Sequence, residues 1–393
     1  MDVVAIVGAG PAGLSAAKEL ASRPDLFQVL LIDRNKKPGR KLLATGNGKC
    51  NLSNLDIRPE KYHGDIDAVF DWVNQFKAEP YFQDLGLCLR AKGNLLYPYS
   101  EQAQSVLDCF WNDLKEKGVI YMPERTIVDF QVNKGRYVLI DDKNQHIYAD
   151  HLVLAGGGKA SRQLGSDGSL LELVKNKGVL VSKLYPSLVQ LKTKPAYKQL
   201  KGTRVHGTFF LYRDQQLVTG CKGEVLFTED GVSGIAALEL SSYLSHEPGV
   251  KQEIELNLAD ELEVSQLRSY FQKWQHQTHC LDGLLAKKIA SILEDPPITS
   301  AKTLISRVCH WRLEVIGTRG FDFAQVTSGG ILLQELDAYL MLKRFPGVYA
   351  CGEILNVDGD CGGYNLHFAW ASGQRVGRRI LQTCEMADEE SVS

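Results

Sequence analysis

The chain has 393 residues, 44% hydrophobic and 23% charged, enough for two or three domains and a large core. Its 45 basic and 47 acidic side chains leave a net charge of −2, without the electrostatic footprint of a nucleic-acid or anionic-membrane binder. No apolar run approaches the roughly 18–20 residues of a membrane span, and nine cysteines without a C-x-x-C fit neither a disulfide framework nor a zinc site.

The N-terminus enters an apolar run at Val3 with no basic leader before it, so no signal peptide is read and the cytoplasm is expected. Val3 to Val7 is a β-branched run suited to a strand buried on both faces. Gly8-Ala9-Gly10-Pro11-Ala12-Gly13 follows at once. In a dinucleotide fingerprint Gly8 permits the bend, Gly10 lets the backbone approach a pyrophosphate, and Gly13 lets the helix pack on the sheet. Residues 12–21 are mostly good helix formers, and the N-terminus of such a helix offers N–H groups to phosphate. A second strand, Val29 to Ile32, ends in Asp33, placed to accept hydrogen bonds from ribose hydroxyls. Gly8, Gly10, Ala12, Gly13 and Asp33 are therefore candidates for the ADP half of a dinucleotide.

Residues 39–51 form a polar, glycine-rich loop carrying Arg40, Lys41, Gly48, Lys49, Cys50 and Asn51, a composition that can fold over a pyrophosphate or a flavin edge. Helices are expected over Ala68–Phe76 and Gln102–Lys117. Ile127–Phe130 and Arg136–Ile140 read as strands of a meander leading to Leu152-Val153-Leu154 and a second glycine cluster, Ala155 to Gly158. Short strand-like runs fill 188–256. Further on, Leu267, Tyr270, Phe271 and Trp274 make one apolar helical face, and Leu284, Leu285, Ile289 and Ile292 repeat it before Pro296. A third fingerprint runs from Gly352-Glu353 through Asp358-Gly359 to Gly363-Tyr364-Asn365-Leu366 and opens a helix rich in small residues. The tail from Ala387 is expected to be solvated.

Strand, meander and third segment together follow the pattern of FAD enzymes of the glutathione-reductase type. In that pattern the backbone near Ile127 faces the adenine, and Ala155 and Gly156 pass the cofactor. Gly352, Glu353, Asp358, Gly363, Asn365 and Leu366 hold the flavin half, where a helix N-terminus stabilises charge on the reduced ring. More specifically, 39–54, Gly223 to Thr228, Gly231 to Gly234, Ala324 to Gly330 and 352–366 resemble the bacterial flavoprotein family that includes aminoacetone oxidases and BaiN-like bile-acid-pathway reductases. The match runs nearly end to end, with departures at Lys49, Gly156, Glu229 and Ile235.

The resemblance implies an α/β architecture: a Rossmann-like FAD domain interrupted by a β-barrel-like domain and a small helical one. The expected division is 1–187 and 326–393 for the FAD domain, 188–257 and 311–325 for the β-rich substrate domain, and 258–310 for the helical insertion. By resemblance Thr327, with Gly329 and Gly330, lines the flavin face; His367 is a second catalytic candidate because it follows the third fingerprint. Tyr97 and Tyr364 are candidates to close the pocket. Cys50 has Leu55 rather than a cysteine five residues on, so no disulfide redox pair is expected there. The histidines show no metal-binding spacing, and no metal is expected.

These readings describe an oxidoreductase that moves hydride between non-covalent FAD and a small organic substrate, either an amine or an enone-like compound. The other reading is a non-catalytic flavin-binding redox sensor or partner-binding module. A second G-x-G-x-x-G is missing, so NAD(P)H would act as a transient reductant if at all. Oxidase and reductase both stay open, as does the oligomeric state. Neither nucleic acid nor membrane is expected as a partner, and net charge speaks against a tRNA-modifying role.

Overall fold

In the computed structural model, which describes the backbone of residues 1–392 and the side chains through Glu385, Asp2–Val7 is the central strand of a five-stranded parallel sheet. The order is Val348–Ala350, His151–Leu154, Asp2–Val7, Phe27–Ile32 and Ile120–Met122. Val4, Ala5 and Ile6 are wholly buried, as expected for a strand covered on both faces. The register carries the functional consequence. Val7 lies opposite Ile32 and Leu154, and Leu154 lies opposite Ala350, so the four strands end together at one edge. The residues that follow them, Gly8, Asp33, Ala155 and Cys351, start from that common edge.

The first helix, Pro11–Leu20, begins directly after the turn, with Gly10 at its N-cap and proline at its first position, where a missing N–H costs nothing. It packs against the last helix, Tyr364–Val392, across small residues. A Cβ on Gly373 would collide with the Ala12 carbonyl, and one on Gly377 would lie 2.7 Å from Glu19 Cβ. Ser15 Oγ donates to Trp370 O at 2.8 Å, and Arg378 pairs with Glu19 at 3.0 Å. Trp370 stacks on Phe110 at 5.3 Å and meets Phe82 edge-on, which anchors the last helix in the core.

The helices expected between 60 and 120 form as Phe70–Gln75 and Ala103–Glu116. Two elements there went unread: the helix Ala78–Asp84 and the hairpin Leu89–Lys92 with Leu95–Pro98. The meander is a three-stranded antiparallel sheet of Ile127–Asn133, Arg136–Asp141 and His146–Ala149. The expectation for the tail beyond Ala387 falls on side chains outside the described residues, although the backbone is helical to Val392.

The chain divides into two compact units, 1–186 with 325–393, and 187–324. The second unit holds a closed six-stranded barrel of Leu191–Lys194, Gly231–Ser233, Gln216–Phe227, Arg204–Arg213, Gln252–Asn257 and Trp311–Thr318. Phe209, Leu211, Leu256 and Leu313 fill its core, which Leu267 and Phe271 of the helix Val264–Trp274 join. Leu284 and Leu285 lie before, not within, the next helix, Lys287–Leu293, whose buried positions are Ile289, Ala290 and Leu293.

Replacing Gly373 by Leu should lower the melting temperature sharply, because the obstruction is backbone that cannot yield as a side chain can; a cost above about 3 kcal/mol is expected. Thermal unfolding of the purified variant checks this, and an unchanged transition would contradict the helix packing described.

Candidate functional site

The three glycine fingerprints meet at the carboxyl edge of the sheet, and their glycines serve different ends. Gly8 has φ 113°, and a Cβ there would strike the Ala155 carbonyl; one at Gly13 would strike the Gly8 carbonyl. These two are required for packing. Gly10 differs: a Cβ there meets nothing within 4 Å, so the space in front of the helix N-terminus stands open. Ala12 is buried behind it, 2.6 Å from a Cβ added to Gly352, which joins the first fingerprint to the third.

Asp33 accepts from Ala9 N at 2.8 Å and from Asn35 N at 2.7 Å. It shapes the loop with one lone pair on each oxygen and keeps others for a hydroxyl. Val7, Gly8, Asp33, Ile127, Gly156 and Gly157 line one cleft. Arg34, Arg125 and Asp167, which sequence reasoning missed, line it too. Arg34 pairs with Asp167 at 2.5 Å and donates to Ser169 Oγ at 2.8 Å, while Arg125 pairs with the buried Asp141 at 2.7 Å. Only Arg34, next in chain to Asp33, carried a signal that could have been read.

Residues 39–51 fold onto the first turn, with Gly39 N bonded to Ala9 O at 2.9 Å. Arg40 is exposed and bonds Asn35, away from the other candidates of its loop. Lys41 reaches across to Glu353 at 2.5 Å. Gly48 turns the loop at φ 84°, and Cys50, at φ 57°, is fully buried. Burial pushes the Cys50 thiol up to about 12 despite its hydrogen bond with Thr45, so it stays protonated and unreactive. Asn51 Oδ1 is buried without a hydrogen-bond partner among the described residues, and Asn51 Nδ2 lies beside Gly363.

Glu353 is committed on both oxygens, one to Lys41 and the other to Thr327 N at 2.9 Å. Thr327 is buried, and its Oγ1 accepts from Lys159 N at 2.7 Å and Ala160 N at 2.8 Å. A Cβ on Gly158 would collide with that hydroxyl. Thr327 therefore ties the second fingerprint to the third, a positioning duty. Asn365 accepts from Gly359 N at 2.9 Å and donates to Gly359 O at 2.6 Å, bracing the strand Val357–Gly359 on which the buried Asp358 lies. Neighbouring Asp360, also unread, is buried against Lys61 at 3.0 Å and His63 at 2.9 Å. Burial pulls the His63 imidazole down, but the Asp360 hydrogen bond and the charges of Asp358 and Asp360 prevail and raise it.

The first bond of the last helix runs from His367 N to Gly363 O, so the N–H groups of Tyr364, Asn365 and Leu366 precede its ladder. Gly363, at φ 96°, brings this end within 2.6 Å of Ser53 for any added Cβ. Tyr364 is buried edge-on to Tyr62, a packing role, whereas Tyr97 is half-buried in the hairpin.

His367 needs correction as a proton donor. It is 2% exposed; its Nδ1 lies 2.7 Å from Ser53 Oγ and its Nε2 2.9 Å from Val73 O. The carbonyl can only accept, so Nε2 carries the proton and Nδ1 accepts from the serine. Burial holds the imidazole down at about 4, neutral and with no proton to lend.

Open space at Gly10, an orphaned buried oxygen on Asn51 and unladdered N–H groups at two helix ends fit a dinucleotide that spans the edge.

The HI0933-like protein Rossmann domain family matches residues 2–379. The 3-dehydro-bile acid delta(4,6)-reductase of Clostridium scindens is 32% identical over 97% of this chain and 100% of its own. The ribosomal RNA dihydrouridine synthase of Escherichia coli is 28% identical over 96% of this chain and 97% of its own. Among solved structures, the 3-ketosteroid-delta4-(5alpha)-dehydrogenase of Rhodococcus jostii RHA1 superposes with a TM-score of 0.51 at 14% identity, covering 95% of each chain. A flavocytochrome c3 fumarate reductase does so at 0.51 and 14%, covering 98% of this chain and 78% of that one. At that identity the two structures share the fold.

Two outcomes follow from this geometry. Gly10→Val should fold, since its φ of −86° suits valine and no atom opposes the side chain, yet emerge without bound dinucleotide; Gly13→Val should fail to fold. Absorbance of the bound cofactor and circular dichroism on both proteins separate these effects. The second outcome concerns pH. With His367 held at about 4 against an ordinary 6.5, the unfolded chain takes up the proton first as pH falls. The stabilisation is full above 6.5 and lost between 6.5 and 4, on the order of 3 kcal/mol. Denaturant titrations across that window should show a shallower pH dependence for His367→Gln than for the parent.

Proposed function

The chain belongs to the HI0933-like protein Rossmann domain family and is an oxidoreductase of the flavoprotein class, and from that premise we propose that it is an FAD-dependent reductase of electron-poor carbon–carbon double bonds. Its acceptor would be a small enone-like molecule and its reductant a transiently docked NAD(P)H. FAD, when bound, supplies the hydride.

The observation that carries the binding half of this reading is the open space at Gly10, in line with the other fingerprints along one edge. Gly8, Gly10 and the N-terminus of the first helix would receive the pyrophosphate, with Asp33 on the ribose and Arg34, Ile127 and Gly156 around the adenine. The N–H groups of Asn365 and Leu366 would face the flavin ring, and Asn51 would use its unmatched oxygen there. Lys41, Glu353 and Thr327 form a continuous brace behind the site, holding the loops in register and excluding water.

The choice of an unsaturated acceptor over an amine rests on the chemistry in the relatives' names. A 3-dehydro, delta(4,6) bile acid is a conjugated ketone, and dihydrouridine is a uridine whose ring double bond beside a carbonyl has been saturated. The two reactions share one step, reduction of an alkene polarised by a carbonyl. RNA is the second reading for the acceptor, favoured by the E. coli relative. A net charge of −2 supports the small molecule, because phosphate contacts need cations. Among the described residues no helix is long and apolar enough to cross a membrane, and the nine cysteines are free; the cytoplasm is the proposed location.

Anaerobic mixing of the FAD-loaded protein with NADH or NADPH should bleach the flavin, and a 3-keto-4-ene steroid should then restore its colour. Bleaching by amines but not by nicotinamides would overturn the reductase reading. Reoxidation by a uridine-rich rRNA fragment alone would replace the small molecule with RNA.

A further inference from the structure

At the opposite edge of the parallel sheet, three side chains that play no part in the cofactor site converge. Asp2 begins the central strand, His151 begins its neighbour, and Cys384 lies on the last helix, about 30 Å along that helix from Tyr364 at a rise of 1.5 Å per residue. His151 Nε2 is 3.6 Å from Asp2 Oδ2, Cys384 Sγ is 3.5 Å from the same oxygen, and Cys384 Sγ is 3.8 Å from His151 Nε2. We propose that Asp2 Oδ2, His151 Nε2 and Cys384 Sγ form a binding site for a divalent transition-metal ion of the zinc type, with water completing the coordination.

The Cys384 thiol already hydrogen-bonds within the cluster, donating to Asp2 Oδ2 at 3.5 Å and lying 3.8 Å from His151 Nε2, and a metal ion would take the place of its proton. At 3.6 Å the imidazole and carboxylate are too far apart for a direct N–H···O bond, which needs about 2.7–3.2 Å. Tetrahedral zinc, with bonds of about 2.3 Å to sulfur and 2.0–2.2 Å to nitrogen and oxygen, sets its ligand atoms roughly 3.3–3.6 Å from one another. The three atoms therefore need to close by only a few tenths of an ångström. Side-chain exposure grades from 17% at His151 to 47% at Asp2, so the site has a wet side for entry and for the water.

Charge and donor type agree. On binding, the Cys384 thiol gives its proton to solvent, Asp2 is already a carboxylate, and His151 binds through a neutral ring nitrogen. Two negative ligands then balance a dication. The S, N, O set selects zinc or its softer neighbours over magnesium or calcium. Such an ion would fasten the far end of the last helix to the starts of two central strands.

The test uses untagged, FAD-loaded protein. After zinc loading and gel filtration, elemental analysis should find one zinc per chain. Cobalt(II) in its place should give intense d–d bands in the red, beyond flavin absorption, as tetrahedral sites with a thiolate do. Cys384→Ser and His151→Gln, checked for unchanged flavin content, should each lose the cobalt bands and reduce retained zinc at least tenfold. Absence of retained zinc in the parent protein, or cobalt bands that persist in either variant, would overturn the site.

Discussion

Val7 lies opposite Ile32 on one side and Leu154 on the other, and Leu154 in turn lies opposite Ala350. Parallel strands can share such a register only if each connection returns the chain to the same starting edge, so four separate loops leave the sheet side by side. The glycine turn, Asp33, the second glycine cluster and the third fingerprint are neighbours for that reason alone. Slipping one strand by a residue would turn its side chains to the other face and carry its loop out of line. The sheet register is thus the constraint on which the candidate site depends.

The second support is the contact between the first and last helices. Gly373 lets the last helix touch the Ala12 backbone, and Gly352 lets the third fingerprint reach Ala12 from the other side. Ser372 Oγ, which accepts from Gly352 N at 2.9 Å, joins the two contacts. Two helix N-termini are held beside the same edge. Where charge does occur, it is spent within the protein, as Lys41 with Glu353 and Lys61 with Asp360 show. Backbone N–H groups, the Asn51 carbonyl oxygen and the remaining lone pairs of Asp33 are among what the edge leaves for a ligand. This division suits an anionic dinucleotide, whose phosphates need fixed dipoles more than mobile cations.

Several polar residues adjoining the fingerprints turned out to serve the scaffold. Thr327 accepts two backbone N–H groups, Asn365 closes on Gly359, and His367 spans Ser53 and Val73. Nothing in their spacing could have revealed this, because every partner but Gly359 is remote in the chain, up to 314 residues away for Ser53 and His367. Arg125 and Asp167 were overlooked for the converse reason, since no local motif surrounds them and folding alone brings them beside Asp141 and Arg34, while Asp360 lies within the third fingerprint but finds its partner Lys61 only through folding. The hairpin at Leu89–Pro98 was also missed, since its residues alternate weakly and its partner strand, Ser53–Asn54, is two residues long.

By itself the sequence determined the strand–turn–helix units, the places where only glycine serves, and the apolar helical face carrying Leu267 and Phe271. These are local properties: steric limits at a turn and hydrophobic period act over a few residues, so they can be read in order along the chain. Tertiary structure alone decided which polar groups are spent and which stay available, that Gly10 faces open space while Gly8 and Gly13 face backbone, and that Asp2, His151 and Cys384 share a corner. Those outcomes depend on distances between segments hundreds of residues apart, set by sheet register and helix contact.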